Sequence, residues 1–274
     1  MRDRSLPRAT RVAVRRMRRL FARGRHRGEQ VRSGVGAGLL LSREGASADY
    51  AAGTNELPVQ VALRDLLRPG DVFFDVGCNV GFFAMLAARE VGPTGSVHAF
   101  EAVPAIAAVA SRNVALNALT NVRVHDVAVS DVNGTAELLL AAHPGGATLS
   151  VADTPHDLVG RTTVRVMTLD TMVREGIVPP PDVVKIDVEG AEEQVLRGMA
   201  EVLATNRPAL LCELDGADRD VLGDKIVLWR QRMSRIDYLV EDLAPSYVDT
   251  GWHVYHGTAV PRSGPPPRRD GRDL

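Results

Sequence analysis

The order of hydrophobic patterns along the chain constrains its fold more than any other feature. Short apolar runs typical of β-strands alternate with longer runs that have helical spacing. Such alternation is typical of α/β proteins, in which helices connect the strands of a largely parallel sheet. Strands are predicted over 71–76, 96–101, 122–129, 137–140, 163–166, 183–186, 209–214, 238–240 and 253–255. Helices are predicted over 59–67, 82–88, 103–119, 191–204 and 221–233, all within one domain at 46–260.

Composition excludes several classes of protein. The 274 residues are 45% hydrophobic and 24% charged, which is typical of globular proteins and not of disordered or fibrous ones. No apolar run approaches the ~18 residues that a membrane-spanning helix needs. Two cysteines, Cys78 and Cys212, cannot form a disulfide framework, so we expect a cytoplasmic protein. We interpret Cys78 as a thiol of the core.

The two ends differ from the rest of the chain. Residues 1–32 contain twelve arginines against Asp3 and Glu29, a net charge of +10 that leaves −11 for the remainder. This stretch lacks the apolar segment of a signal peptide. We predict an Arg-rich N-terminal extension over 1–45, partly helical, which could contact a membrane surface, a nucleic acid or an acidic substrate, or be only a solvated leader. A disordered Pro/Arg-rich tail is predicted over 261–274.

A glycine-containing turn indicates where a ligand binds. The first strand leads through Gly77 and Gly81 directly into a helix, so a ligand can approach the backbone there. The second strand ends at Glu101, where an acid can accept hydrogen bonds from ribose hydroxyls. Asn79 replaces the middle glycine of the dinucleotide motif, and Asp75 suits a sulfonium better than a pyrophosphate. The pattern favours S-adenosylmethionine, although a tight turn alone would also explain the glycines.

Four motifs extend this interpretation to a family. The sequences at 75–81, 100–101, 168–170 and especially Lys-Ile-Asp-Val-Glu-Gly-Ala-Glu at 185–192 resemble the FkbM-type S-adenosylmethionine-dependent methyltransferases, over roughly 53–214. The resemblance implies a Rossmann-like class I methyltransferase fold: a seven-stranded, mostly parallel sheet with an antiparallel last strand and helices on both faces. It also implies O-methylation of a hydroxyl on a small molecule, such as a secondary metabolite, or on a glycan sugar.

The resemblance assigns cofactor-binding roles to several positions. It places Asp75, Gly77, Asn79 and Gly81 around the methionine part of S-adenosylmethionine and Glu101 at the ribose. Asp126, after the third strand, is a candidate for accepting a hydrogen bond from the adenine amino group. Glu56 matches an acidic position that could face the cofactor pocket, or it could cap the following helix.

Deprotonation of the acceptor hydroxyl requires a base near the sulfonium. Asp187 is the strongest candidate for a catalytic or orienting role, and Glu213 and His143 are further candidates; His143 could equally be an exposed loop residue. Lys185 could instead pair with one of these acids, and Glu189 could cap a helix. The carboxylates at this edge of the sheet could also hold Mg²⁺, but no metal-ligand set is predicted.

Two alternatives remain open at this point. The Arg-rich segment could serve an RNA methyltransferase, but enzymes that methylate exocyclic amines carry an Asn/Asp-Pro-Pro-aromatic motif after the fourth strand. This chain has Asp-Val-Glu-Gly at 187–190, so a nucleic-acid acceptor is disfavoured. A non-catalytic protein that retains the fold is the second alternative. The oligomeric state cannot be predicted from the sequence.

Overall fold

The computed structural model describes residues 28–44, 48–141, 147–149, 158–247 and 253–262. Its strands are β1 (Glu29–Gln30), β2 (Leu40–Leu41), β3 (Val72–Val76), β4 (Ser96–Glu101), β5 (Val122–Asp126), β6 (Ala128–Val129), β7 (Gly134–Ala141), β8 (Ala147–Leu149), β9 (Leu158–Met167), β10 (Val183–Ile186), β11 (Ala209–Gly216), β12 (Tyr238–Asp242) and β13 (His253–Pro261). Its helices are α1 (Ala48–Ala52), α2 (Leu57–Leu66), α3 (Phe82–Val91), α4 (Pro104–Leu116), α5 (Leu169–Arg174), α6 (Glu192–Arg197), α7 (Ala200–Thr205) and α8 (Arg219–Arg235).

The main sheet has seven strands in the order β5-β4-β3-β10-β11-β13-β12. The pairs from β5 to β11 are parallel, whereas β13 is antiparallel to both of its neighbours. This confirms the predicted seven-stranded, mostly parallel sheet with an antiparallel last strand. The strand order reverses between β3 and β10, and such a switch point opens a crevice at the carboxyl ends of the strands.

Helices cover both faces of this sheet, as predicted, because successive strand residues point to opposite sides. Phe73, Val183 and Leu211 pack with α2, α3 and α4 in one hydrophobic cluster. Phe74 and Val184, one position along, pack with α5, α6, α7 and α8 in the other. Each residue of the first set is followed two positions later by a charged residue, whose side chain therefore points to the same side of the sheet, towards α2 and α3. These charged residues are Asp75, Lys185 and Glu213.

The predicted strand over 122–129 is two strands in two sheets. β5 ends at Asp126, Val127 donates its N–H to the carbonyl of Glu101 at 3.2 Å, and β6 then pairs with β9. The second sheet has the order β6-β9-β7-β8. Its long β7–β9 pair contains the segments 137–140 and 163–166 that the sequence predicts as strands.

The predicted helix over 191–204 is likewise two helices, α6 and α7. A Cβ at Gly198 would lie 2.0 Å from the carbonyl oxygen of Ser130, so glycine allows a close approach there. Asp170 then accepts the backbone N–H groups of Glu201 and Val202 at 3.0 and 2.9 Å. This carboxylate caps the start of a new helix, which is separated from the first by Gly198 and Met199.

Residues 28–44 pack against the domain. Val31, Leu39 and Leu41 belong to the core cluster on the α2–α3 side. Asn113 of α4 and Asn117, directly after that helix, accept the backbone N–H groups of Ser42 and Leu40, respectively, each through its side-chain oxygen. The boundary at residue 46 stays a prediction, and residues 1–27 and 263–274 lie outside the described residues. None of the helices within the described ranges combines the length and apolar composition needed to cross a bilayer.

Candidate functional site

A cavity of about 260 Å³ lies at the switch point between β3 and β10. One side is formed by the turn after β3, the end of β4 and the β5–β6 segment, with Gly77, Asn79, Glu101 and 127–129 in its wall. The other side is acidic and aromatic, with Tyr50, Glu56, Asp187, Glu213 and Tyr247. Four of the predicted cofactor residues and two of the predicted acids therefore line one cavity: Glu56, Gly77, Asn79 and Glu101, with Asp187 and Glu213.

The β3–α3 turn is shaped by close backbone packing. Gly77 has φ 84°, and a Cβ there would lie 1.7 Å from the carbonyl oxygen of Asp187. Gly81 has φ 82°, and its Cβ would lie 3.2 Å from that of Ala110. The tight-turn explanation therefore holds for Gly77 whether or not a ligand binds. Asn79, with φ 48°, lines the cavity beside Gly77, whereas Gly81 lies behind the wall as the first residue before α3.

Glu101 is held by the turn that it faces. Its two carboxylate oxygens accept the N–H groups of Asn79 at 3.0 Å and Val103 at 2.8 Å. Burial raises the pKa of Glu101 to about 7, although both backbone N–H groups act to lower it. Each carboxylate oxygen has two lone pairs, so both retain capacity to accept from a ligand hydroxyl.

This side of the cavity fits the adenosine part of S-adenosylmethionine. Gly77 lines the cavity with its backbone, Glu101 offers a carboxylate suited to ribose hydroxyls, and Val127, Ala128 and Val129 form an apolar wall suited to a base. Asp126 is exposed and lies outside that wall. A contact between Asp126 and the adenine amino group stays a prediction.

Asp75 and Lys185 lie beneath the cavity on neighbouring strands. They are paired in register between β3 and β10, and both are buried. Burial raises the pKa of Asp75 to about 6, against the opposing charge of Lys185. The structure places Asp75 below the turn and not in the cavity wall, so direct contact with a ligand stays a prediction.

Asp187 follows β10 and lies at the border between the two sides of the cavity. Its Oδ2 accepts a hydrogen bond from Lys185 Nζ at 2.6 Å, and the Asp187 side chain is 24% exposed. Lys185 also lies 4.7 Å from the centre of the Phe83 ring. Burial acts to lower the pKa of Lys185, but the charges of Asp187, Asp75, Glu56 and Glu213 raise it above its ordinary value. The alternative in which Lys185 pairs with one of the acids is therefore observed, and Asp187 still faces the cavity.

Glu213 forms the centre of a second set of contacts that the sequence does not reveal. His256 Nε2 lies 2.6 Å from Glu213 Oε2 and 3.7 Å from Glu56 Oε2. Tyr247 donates to Glu56 Oε1 at 2.7 Å. Glu213 and His256 are opposite each other in the antiparallel β11–β13 register. Only the pairing of these strands, which requires the fold, could have identified His256.

Burial is the largest cause of the pKa shifts in this second set of residues. It raises the pKa of Glu213 well above its ordinary value, and the neighbouring carboxylates of Asp187 and Glu56 add to the shift. It also raises the pKa of Glu56, against the charge of Lys185. It lowers the pKa of His256 to about 4. The site thus concentrates carboxylates in a poorly solvated region.

The sequence also assigns roles to Glu56, Glu189, His143 and Cys78. Glu56 precedes α2 with φ 45°, but its side chain makes no capping hydrogen bond and instead faces the cavity. Glu189 also lines the cavity, and Glu192, not Glu189, accepts the Gly190 N–H at 2.8 Å. His143 lies outside the described residues. Cys78 and Cys212 are buried, free thiols, as predicted for Cys78.

Comparisons with known proteins agree with the fold and with the family that the sequence motifs resemble. The model of the Methyltransferase FkbM domain matches residues 75–240. The 31-O-demethyl-FK506 methyltransferase FkbM of Streptomyces tacrolimicus is 31% identical over 192 residues, covering 60% of this chain and 72% of that protein. The 2-O-methyltransferase NoeI of Sinorhizobium fredii is 29% identical over 188 residues, covering 62% and 76%. The crystal structure of Trm5b from Pyrococcus abyssi shares the fold, with a TM-score of 0.50 at 14% identity, covering 86% of this chain and 57% of that one.

The sheet order and the switch-point cavity agree with the class I methyltransferase fold, and the domain match makes the chain an S-adenosylmethionine-dependent methyltransferase. Within that class, the domain match and the relatives place the chain more narrowly. It belongs to the FkbM methyltransferase family.

Proposed function

We propose that this methyltransferase transfers a methyl group to a hydroxyl of a small molecule, such as a secondary metabolite, or of a glycan sugar. One observation carries the proposal: the glycine turn suited to the methyl donor and a set of carboxylates suited to hydroxyl groups share one cavity. The two relatives support it, since one is named for 31-O-demethyl-FK506 and the other as a 2-O-methyltransferase. Carboxylates accept hydrogen bonds from hydroxyls and disfavour an anionic acceptor in the same cavity.

Four residues are proposed to bind the donor. Gly77 and Asn79 present the turn backbone, Glu101 accepts from the ribose hydroxyls, and Ala128 packs in the apolar wall. S-Adenosylmethionine, when bound, supplies a methyl group that an oxygen nucleophile can take by in-line displacement. Glu101 is fixed by the N–H groups of Asn79 and Val103, so it needs little reorganisation to bind a ligand.

Asp187 is proposed to orient the acceptor hydroxyl and to receive its proton. Its backbone packs against Gly77 and its side chain lies among the acidic residues, so it borders both ligands. Lys185 holds Oδ2, which fixes the carboxylate and leaves Oδ1 as the oxygen that takes the proton. Glu213 and Glu56 complete the acceptor side, and His256 positions Glu213.

The proposal also covers the cellular compartment and the class of acceptor. The cytoplasm is the proposed compartment, in keeping with two buried free cysteines. A small-molecule or glycan acceptor is preferred to a nucleic acid, because the acidic cavity would repel phosphates at the point of transfer. Contact of the basic N-terminal segment with a membrane surface stays a prediction.

Replacement of Asp187 tests the proposal. S-Adenosylhomocysteine release is measured with S-adenosylmethionine and a panel of hydroxylated macrolides, sugar glycosides and an unmodified RNA. We expect transfer to a hydroxyl compound, and Asp187→Asn lowers kcat by about 100-fold or more while S-adenosylhomocysteine affinity changes little. Glu241→Gln, at an exposed position on β12, is the matched control. Transfer to RNA alone, or a parental kcat for Asp187→Asn, would refute the proposal.

A further inference from the structure

Two buried side chains and one half-buried side chain converge at the acceptor side, and one of their carboxylate oxygens receives no hydrogen bond from a described residue. One ligand atom from each of Glu56, Glu213 and His256 lies within 4.8 Å of the other two. The side chains are 6%, 15% and 1% exposed, respectively. They come from the start of α2, from β11 and from β13, so the fold itself brings them together.

The orientation of Glu56 is the second observation. Its Oε1 accepts from Tyr247 at 2.7 Å and from Asn55 at 3.3 Å. Its Oε2 is buried, receives no hydrogen bond from any described residue, and lies 3.7 Å from His256 Nε2. A buried carboxylate oxygen without a donor costs free energy. A cation bound between Oε2 and His256 Nε2 would remove that cost, and it would replace the proton that His256 Nε2 shares with Glu213 Oε2 at 2.6 Å, which is released to solvent.

The charged side chains around these three residues also favour a bound cation. The carboxylates of Glu56, Glu213, Asp187 and Asp75 all interact with Lys185, which supplies one positive charge among them. With one cation among four carboxylates in a poorly solvated region, all four carboxylates can ionise only if a further cation is bound there. A divalent ion would supply that charge.

We propose that Glu56, Glu213 and His256 bind a divalent transition-metal ion, Zn²⁺ or Mn²⁺, at the acceptor side of the cavity. An imidazole with two carboxylates suits these ions, whereas Mg²⁺ prefers oxygen ligands alone. Three protein ligands leave a coordination position for a further molecule. Neighbours orient the ligands: Ser246 Oγ lies 3.4 Å from His256 Nδ1, and Tyr247 binds Glu56.

The ion would act on the acceptor, an inference that rests on the proposed function. Glu56 and Glu213 line the cavity, so a hydroxyl in the cavity can reach the open position of the ion. Coordination lowers the pKa of a hydroxyl and so favours its deprotonation. With the hydroxyl held there, Asp187 would receive its proton and the hydroxyl oxygen would take the methyl group from S-adenosylmethionine.

Metal titration tests the site directly. Protein freed of metal with a chelator is titrated calorimetrically with ZnCl₂ and, separately, with MnCl₂. The parent and Glu241→Gln are expected to bind about one ion per chain, whereas Glu213→Gln and His256→Asn lose about 100-fold or more in affinity. Each protein is also titrated with S-adenosylhomocysteine, which reports whether the variant is folded and whether the donor site is intact.

The outcomes separate the two proposals. A parent protein that binds S-adenosylhomocysteine but no stoichiometric metal overturns the metal site and leaves the proposed function standing. A parent that binds neither overturns the proposed function. Should both variants fail to bind S-adenosylhomocysteine, X-ray absorption of the zinc-loaded parent decides: one imidazole with oxygen ligands supports the site, and a spectrum without imidazole overturns it.

Discussion

Gly77 shows how one residue serves both the fold and the ligand site. Its left-handed φ of 84° lets the β3–α3 turn lie directly against the Asp187 carbonyl, and the same turn forms the cavity wall. A glycine in a strand-to-helix turn is visible in the sequence. The residue that requires it, more than a hundred positions away, is visible only in the structure.

Replacement of Gly77 by alanine should therefore lower the unfolding free energy by more than the strain of a left-handed φ alone would. Gly176 has a similar φ of 69°, but a Cβ there would meet nothing within 4 Å. We expect Gly176→Ala to lose about 1–3 kcal/mol of unfolding free energy and Gly77→Ala clearly more, with loss of S-adenosylhomocysteine binding. Urea denaturation of the two variants measures the difference. Equal losses would show that the approach of Asp187 to Gly77 is not tight.

The roles of other single residues were predictable to very different degrees. Asn79, Glu101 and Asp187 follow strand ends, and parallel strands bring their carboxyl ends to one edge, so their proximity could be predicted. His256 contacts Glu213 only because β13 is antiparallel and in a particular register. Tyr247 reaches Glu56 from a loop before β13, and loop paths have no periodic signal in the sequence.

Helices α6 and α7 show where hydrophobic periodicity fails to predict the ends of a helix. Apolar spacing continues across 191–204 and predicts one helix, because both helices bury the same face against the sheet. The break comes from contacts outside the segment: Gly198 against Ser130, and Asp170 with the first turn of α7. The strands 96–101 and 183–186, by contrast, begin and end where the sequence predicts.

Removal of the Asp170 carboxylate should loosen the start of α7. Asp170→Ala leaves the N–H groups of Glu201 and Val202 without this acceptor, so we expect a loss of about 1–2 kcal/mol in unfolding free energy. Asp170→Asn retains a side-chain oxygen and should lose less. Urea denaturation measures both variants, and an Asp170→Ala protein as stable as the parent would contradict this account of the helix break.

The stability of the whole molecule should fall between pH 6.5 and 8. Burial raises the pKa of Glu101 to about 7 and that of Glu192 to about 8, so the folded state binds these protons more tightly than the unfolded chain. Their contribution is present at low pH and is lost as pH rises through the folded values. The histidines whose pKa burial lowers to about 4 act oppositely, but mainly below about pH 7; they are His98, His125 and His256.

We expect the unfolding free energy to decrease by about 1–3 kcal/mol over this range. Urea denaturation at pH 6.5, 7.2 and 8.0 measures the change. Glu192→Gln removes the group with the higher pKa and should flatten the dependence. Stability that is constant or increases from pH 6.5 to 8 would contradict the burial of these carboxyl groups.

At the scale of the molecule, the order and direction of the strands determine both the fold class and the place of the cavity. The sequence predicts an α/β sheet and its glycine turn, and the resemblance to a family predicts the seven strands. Strands within β7 and β9 are predicted, but their assembly with β6 and β8 into a second sheet is not, because the pattern of a single strand does not indicate which sheet it joins. The acidic side of the cavity depends on three distant segments, and their convergence is a property of the whole fold.

Binding of S-adenosylhomocysteine tests the central claim, that the cavity at the β3–β10 switch point is the methyl-donor site. Calorimetric titration of the parent protein should show saturable binding of about one molecule per chain, and no binding of NAD. Glu101→Gln should weaken binding by about tenfold or more, because the ribose hydroxyls lose a charged acceptor. Absence of S-adenosylhomocysteine binding, or parental affinity in Glu101→Gln, would contradict the assignment of this cavity.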